Sequence, residues 1–463
     1  MPNQFKKFLA ASLLTTFSSL VSAETIRVAI GTQDTTINCA TGGLIVRELN
    51  LLEKYLPRTG KYKDVKYDIQ WKNFTSGAPL TNEMVAGKLD FGAMAEFPAS
   101  FNGVAHQNAG KGSLLIAPIS GSILGAGNGI VVPAVSSAQS LADLKGKTLS
   151  VPFASTAHGV LVRAIDDLGW DAEKDVTIIS QAPELAGAAL RANRIAGHAN
   201  FVPFPDLFSN RGFARKILDG SETKSPTYHG SLVNADYAKK YPEIVVALLR
   251  ASLEADRLVQ ENPEKYSLLI EKVTGIEAEV NYLFHGPLGL QTRDATWKPE
   301  FREATVTAIK TLEKLRKEKL ELNVDQFIDD SYIKQAFKAE KLDYAAALKN
   351  YDQVPLTAAD AITGKSIKDF RLVAQIWVRG EDKVRTYATA TAAFDALKTL
   401  EAEGKDIRAV YAQAYDTGIK LLANQAWFVR DKGLLKAFLL KQHAEHYAKQ
   451  HGGQILDFIA ARS

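Results

Sequence analysis

Residues 75–98, TSGAPLTNEMVAGKLDFGAMAEFP, constrain the fold most, because one run reads as a loop, a helix, a strand and a second loop. Thr75, Ser76 and Gly77 stand where a helix begins and Pro79 falls in its first turn, so several backbone N–H groups there have no partner within the helix. Such an end welcomes an acceptor oxygen. Gly87 stops the helix, residues 89–94 suit a buried strand, and Ala95-Glu96-Phe97-Pro98 turns away at that strand's carboxyl end. In open α/β sheets ligands lie at that end. A plain βαβ unit whose Gly and Pro only shape turns fits the same residues.

The flanking sequence repeats this design. Residues 25–31 read as a first strand, followed by the polar loop Thr32-Gln33-Asp34-Thr35-Thr36. Leu44, Ile45, Leu49 and Leu52 then recur at helical spacing, and residues 65–71 form the next strand, so the opening reads β-α-β-α-β with parallel strands. After a strand at 130–133, Leu141-Ala142-Asp143-Leu144-Lys145-Gly146-Lys147-Thr148 leads to Val151-Pro152-Phe153-Ala154-Ser155-Thr156-Ala157-His158-Gly159 and an amphipathic helix to Leu168. Ser155 and Thr156 stand at that helix start, as ligand contacts or as ordinary N-caps. A later strand, Gly197-His198-Ala199-Asn200-Phe201, ends in Val202-Pro203-Phe204-Pro205-Asp206, and Ser231-Leu232-Val233-Asn234, preceded by Tyr228-His229-Gly230, returns the chain to the first lobe. Crossings near Gly129 and Gly230 make a hinge, and helices fill residues 242–344.

Three segments carry a family resemblance: Ser76-Gly77-Ala78-Pro79, Gly87-Lys88-Leu89-Asp90-Phe91-Gly92 and Glu96-Phe97-Pro98. With the x-D-L-K-G-K segment at Asp143 to Lys147, they resemble the periplasmic solute-binding proteins of the nitrate, sulfonate and taurine ABC importers. The resemblance implies an α/β, bilobal periplasmic-binding-protein fold over 24–345, with the second lobe at about 130–229 and the ligand held between the lobes. The strand and helix ends facing that cleft nominate Gln33, Asp34, Thr35, Ser76, Gly77, Glu96, Phe97, Ser155, Thr156, His158, Phe204, Asp206 and His229. The family more often has Trp where Phe204 stands. Because Asp34, Glu96 and Asp206 would face the ligand and no Lys or Arg would, the sequence favours a taurine-like zwitterion over nitrate.

Residues 346–463 lie beyond that fold and read as a C-terminal α+β accessory domain in the order β-β-α-β-β-α-β, behind a polar joint at 350–360. Ala374-Gln375-Ile376, Ala409-Val410-Tyr411, Ala426-Trp427-Phe428-Val429 and His451-Gly452-Gly453-Gln454-Ile455-Leu456-Asp457-Phe458 resemble the copper-binding accessory lipoprotein family of nitrous-oxide reductase maturation. The family's Cys-x-x-Cys-Gly-Met-like entry is replaced by Ala361-Ile362-Thr363-Gly364-Lys365-Ser366, so the resemblance transfers the fold without the copper. His443 and His446, three apart on a helix, with His451 beyond its end, are a separate candidate zinc or copper(II) set.

Lys6 and Lys7, an apolar run over 8–20 and Val21-Ser22-Ala23 read as a cleaved signal peptide over 1–23, which places the mature chain in the periplasm. The formal charge of +4 is spread without blocks, so neither nucleic-acid binding nor membrane insertion is expected. The single cysteine, Cys39, suits a small buried site. No serine-elbow, H-E-x-x-H or phosphate-loop motif is present, so no cofactor is expected and the chain reads as a binding protein rather than an enzyme. A relative of the resembled family works in thiamine-precursor synthesis, which keeps an enzymatic reading open. The partners implied are a small-molecule solute and the membrane permease of an ABC importer. The other function class is a periplasmic metal-handling or maturation factor acting through the C-terminal domain.

Overall fold

The computed structural model describes residues 24–351 and 358–463; the signal-peptide reading and most of the 350–360 joint lie outside them. The first lobe holds a five-stranded sheet built from β1 (Thr25–Thr32), β2 (Lys66–Asn73), β3 (Phe91–Ala95), β4 (Ser113–Ser122) and β10 (Thr227–Asn234), in the order β2-β1-β3-β10-β4. The second holds β5 (Gly129–Pro133), β6 (Thr148–Val151), β7 (Thr177–Ser180), β8 (Gly197–Asn200) and β9 (Ala214–Asp219), in the order β7-β6-β8-β5-β9. In each sheet four strands run in one direction and the strand entering from a crossing, β10 or β5, lies antiparallel between two of them. Parallel strands buried on both faces need continuous apolar runs, and Phe91 to Ala95 is buried throughout.

The crossings lie side by side. Gly127 N donates to Asp219 Oδ2 (3.2 Å) and Gly220 N donates to Asn128 O (2.7 Å). Gly125 has φ +82°, and a Cβ there would stand 2.3 Å from the Ser225 carbonyl oxygen, so only glycine lets the two segments approach. Gly125→Ala is therefore expected to cost about 1–3 kcal/mol in thermal unfolding. A melt unchanged from the parent would show that the crossings are looser than described.

The C-terminal α+β domain differs from the expected element order. It contains β11 (Ala374–Val378), β12 (Arg385–Tyr387), helix Ala390–Ala402, β13 (Ile407–Gln413), β14 (Lys420–Leu422), β15 (Trp427–Asp431), β16 (Leu434–Phe438), helix Lys441–His451, β17 (Gln454–Leu456) and a last helix Phe458–Arg462. The apolar pattern over 421–429 reads as one strand and that over 436–450 as one helix, but a short helical turn at Ala423–Gln425 breaks the first and the strand β16 takes the start of the second. Two sheets result, β12-β11-β13-β14 and β16-β15-β17.

The first of these sheets packs on helices Pro263–Thr274 and Ala278–His285. Arg408 bridges Glu271 (2.5 Å) and Glu279 (2.8 Å), and Tyr411 OH donates to Glu279 O (2.9 Å). Lys420, fully buried, donates to Gln375 Oε1 (2.6 Å) and lies 4.2 Å from the Tyr282 ring centre. Burial holds its amine well below the ordinary lysine pKa. On the far side, Gln442 Nε2 donates to Glu222 Oε2 (2.7 Å) beside the second crossing.

Candidate functional site

The two lobes meet over a small cavity lined by Gln33, Thr36, Ser76, Gly77, Ala78, Ala95, Pro98 and His229 from the first lobe and Phe153, Ala154, Ser155, Thr156 and Phe201 from the second. Its volume is about 20 Å³, room for about one water. A larger solute enters only when the lobes part. Beside the half-buried pair of Arg211 with Glu277 (2.7 Å), two ion pairs at the end of helix Pro299–Arg316 cross between the lobes, Lys314 with Asp166 (2.6 Å) and Lys317 with Glu173 (2.8 Å). Both are exposed, so each holds closure by only about 0–1 kcal/mol.

Element ends supply the polar lining, as the strand-end rule requires. Ser76 precedes helix Gly77–Val85 in extended conformation and its hydroxyl makes no capping bond, which leaves that hydroxyl and the first-turn amides for another acceptor. Gly77 is required there because a Cβ would fall 2.4 Å from Pro98 Cβ. Ser155 begins helix Thr156–Asp167 and does cap it, accepting from His158 N (3.3 Å) and donating to Pro152 O (2.6 Å). Ala154 before it has φ +58°, a strained conformation for a residue with a Cβ. Gln33 Nε2 donates to Ala93 O (2.9 Å). His229 sits on β10 opposite Ala95, and burial pushes its imidazole pKa down to about 3, so it is neutral. His229 Nδ1 and Thr36 Oγ1 are buried without a hydrogen-bond partner, and both line the cavity. Unpartnered buried polar atoms at a closed cleft call for a polar occupant.

Of the residues expected from sequence, Gln33, Ser76, Gly77, Ser155, Thr156 and His229 converge on this cavity. Others do not line it. Asp34 is paired with Arg47 (3.0 Å), and Thr35 beside it is outside the lining. Asp206 pairs with Lys216 (2.9 Å), which also holds Asp219 (3.0 Å). Phe97 packs on Ala308 and Leu312, and Phe204 on Phe201 and Phe208. His158 lies under Phe153, the rings parallel within 6° and 4.8 Å apart; burial lowers its pKa to about 4. Glu96 is buried behind the wall, its Oε2 accepting from Tyr228 N (3.4 Å), and burial raises its pKa to about 7 against the pull of backbone amides and Arg163. The expectation of carboxylates facing the ligand is thus corrected: Asp34 and Asp206 are neutralised by their own cations, and no charged side chain lines the cavity.

The sequence reading missed Thr36, Ala78, Ala95, Pro98, Phe153, Ala154 and Phe201. Phe201 directly follows β8 and Phe153 precedes a helix start, so the same end-of-element rule reaches both. The aromatic wall is Phe201 with half-exposed Phe153, not Phe204.

The candidate metal histidines are not brought together. His443 Nδ1 is 3.6 Å from Asp416, His446 meets Gln450 (2.9 Å) and His451 packs at a tilt against the Tyr447 ring (4.5 Å between centres). Among the described residues no group of three His, Cys, Asp or Glu could hold a metal ion. Cys39 is free and buried, its thiol pKa raised by burial. Among the described residues no helix is long and apolar enough to cross a membrane.

Two α/β lobes joined by paired crossings, with element ends of both converging on one cavity, define a bilobal ligand-closing protein. Residues 24–273 match the model of the NMT1-like family, and the chain belongs to that family. It is 27% identical over 290 residues to a putative aliphatic sulfonates-binding protein of Escherichia coli (strain K12), covering 61% of this chain and 83% of that one. It is 28% identical over 200 residues to the taurine-binding periplasmic protein of the same organism, covering 42% of this chain and 59% of that one. The alkanesulfonate-binding protein SsuA from Xanthomonas axonopodis pv. citri bound to MOPS superposes with a TM-score of 0.55 at 21% identity, covering 67% of this chain and all of that one. The periplasmic aliphatic sulphonate binding protein SsuA from Escherichia coli gives 0.53 at 24%, covering 67% and 93%. These structural likenesses carry the fold.

Proposed function

We propose that this chain is the solute-binding component of an ABC importer and captures a short aliphatic sulfonate between its lobes. The observation that carries this reading is the neutral, donor-bearing lining: the hydroxyls of Ser76 and Thr36 and the amides of two helix starts, with no carboxylate facing the cavity. A sulfonate stays ionised at physiological pH and needs hydrogen-bond donors. Free amides and hydroxyls at helix starts provide them without a competing cation. The names of the relatives support the solute class. The zwitterion preference read from sequence loses its basis, because Asp206 and Asp34 are already paired and leave no carboxylate in the lining for an amine.

The rest of the reading follows from this role. Residues 1–23 direct the chain to the periplasm, 24–345 form the bilobal body with its second lobe at about 130–229, and 346–463 form the accessory domain. That domain's two antiparallel sheets with flanking helices are of the α+β class expected from the likeness to the accessory lipoprotein family, its element order departs from that expectation, and no metal is assigned to it. Capture leaves the solute chemically unchanged, and a permease receives it.

Ethanesulfonate at about 100 times its Kd is expected to stabilise the protein by about 2.7 kcal/mol in thermal unfolding. The double variant Ser76→Leu/Ser155→Leu should lose that stabilisation and keep a cooperative unliganded melt, lowered by about 0.5–2 kcal/mol through the lost Ser155 cap. Taurine and nitrate serve as competitors in calorimetry. Tight nitrate binding with no response to ethanesulfonate would replace the sulfonate reading, and stabilisation unchanged in the double variant would move the site.

A further inference from the structure

The helix start that the second lobe gives to the cleft is approached through a conformation that its residues do not favour. Ala154 has φ +58°, the left-handed region in which a residue with a Cβ is strained, and it lines the cavity between Phe153 and Ser155. Such a conformation persists only where neighbouring contacts over-determine it. Two contacts act here. Ser155 Oγ donates to Pro152 O (2.6 Å) and ties the ends of the short loop together. Ala154 N donates a long bond to His158 Nδ1 (3.4 Å), which fixes the strained residue itself.

His158 suits that second contact. It stands in the first turn of helix Thr156–Asp167, where its own N–H is accepted by Ser155 Oγ (3.3 Å), so its backbone is fixed by the helix it serves. Its imidazole is buried and neutral, so Nδ1 keeps the lone pair that accepts from Ala154 and the ring proton rests on Nε2. Phe153 lies parallel on the same ring, within 6° and 4.8 Å between centres, while the rest of its surface lines the cavity and stays half exposed. One side chain thus carries the Phe153 ring on its face and the Ala154 amide on its edge, without itself lining the cavity. Glycine at 154 would take the same conformation unaided. Alanine there makes the loop depend on a holder.

We propose that His158 is a positioning residue of the cleft: by holding Phe153 and Ala154 it keeps the start of helix Thr156–Asp167 presented to the solute. This role rests on the cleft being the solute site, and the test separates the two. His158→Phe keeps an aromatic ring for Phe153 and removes the acceptor. It is compared, in the intact protein at about pH 8 where an ordinary imidazole is uncharged, with the same variant carrying Ala154→Gly. In calorimetric titration with ethanesulfonate, His158→Phe is expected to bind roughly five- to thirtyfold more weakly than the parent, the range set by the strain of one left-handed alanine. Adding Ala154→Gly should recover most of that loss, because glycine needs no holder. A residue that served only the fold would lower the melt and gain no affinity from that glycine. Without solute, hydrogen exchange of the Ala154 amide is expected to be roughly tenfold faster or more in His158→Phe. Unchanged affinity in His158→Phe, no recovery with Ala154→Gly, or equal exchange of the Ala154 amide in parent and variant would each overturn the assignment. A parent that fails to bind ethanesulfonate would sink the sulfonate reading instead, and the exchange measurement still decides the role of His158.

Discussion

Replacing Arg408 by alanine is expected to destabilise the protein by about 3–5 kcal/mol in urea unfolding, because it leaves two carboxylates without their cation in a buried interface. Arg408 lies on β13 with its side chain 7% exposed, and its bonds to Glu271 and Glu279 join the C-terminal sheet to the helices Pro263–Thr274 and Ala278–His285. It also lies 5.2 Å from the Trp377 ring centre, so truncation removes packing as well as charge. Arg408→Lys keeps the charge without the fork and should fall between the two. The control is Arg379→Ala: its partner Asp406 is as close, 2.8 Å, but the side chains are 53% and 66% exposed, so the loss should stay within about 1 kcal/mol. Equal losses at Arg408 and Arg379 would mean that the C-terminal domain is only loosely seated.

That interface bears on how the C-terminal half was read. The polar joint at 350–360 suggests a domain to which few contacts cross, yet the contacts cross elsewhere, through Arg408, Tyr411 and Lys420. A sequence reveals where a chain is polar along its length, not which distant surface a sheet covers. The strand β16 was missed for a different reason. Leu-Leu-Lys-Ala-Phe-Leu-Leu-Lys at 434–441 fits helical spacing as well as a buried strand, and short apolar runs do not separate the two. The deciding signal is local: Lys432 (φ +50°) and Gly433 (φ +80°) form the two-residue left-handed turn that joins β15 to β16.

In the cleft, backbone position was legible and side-chain direction was not. Gln33, Ser76, Ser155 and His229 were found because the ends of strands and helices can be read from turn residues and apolar runs. Asp34 and Asp206 sit at such ends too, but Arg47 and Lys216, 13 and 10 residues along the chain, claim them. Only the fold brings those cations close. Phe204 and Phe201 are three apart in one aromatic loop, and their mutual packing decides which faces the cavity.

The second large effect is the pH response of solute capture, and it runs through Glu96. The residue begins helix Glu96–Asn108 on the first lobe, with Tyr228 of β10 beside it and Arg163 from the second lobe among the charges acting on it. Because Thr156 and Arg163 of the second lobe act on Glu96, parting the lobes is expected to return it to water, whereas burial in the closed form raises its pKa from 4.5 to about 7. With the lobes apart the carboxyl regains water and titrates near its ordinary value. The closed form therefore holds a proton that the open form lacks between those two values, so closure weakens as pH rises through that window and levels off above about pH 7. His158 and His229, lowered by burial from 6.5 to about 4 and about 3 in the closed form, oppose this, because with the lobes apart each would regain water and take up a proton below its ordinary value. Comparing Glu96→Gln with the parent cancels both histidines. The affinity of the variant for ethanesulfonate, divided by that of the parent, is expected to rise roughly 100-fold from pH 4.5 to pH 7 and level off above it, as one carboxylate moved from 4.5 to about 7 requires. A ratio that does not change across this range would show that Glu96 remains dry when the lobes part.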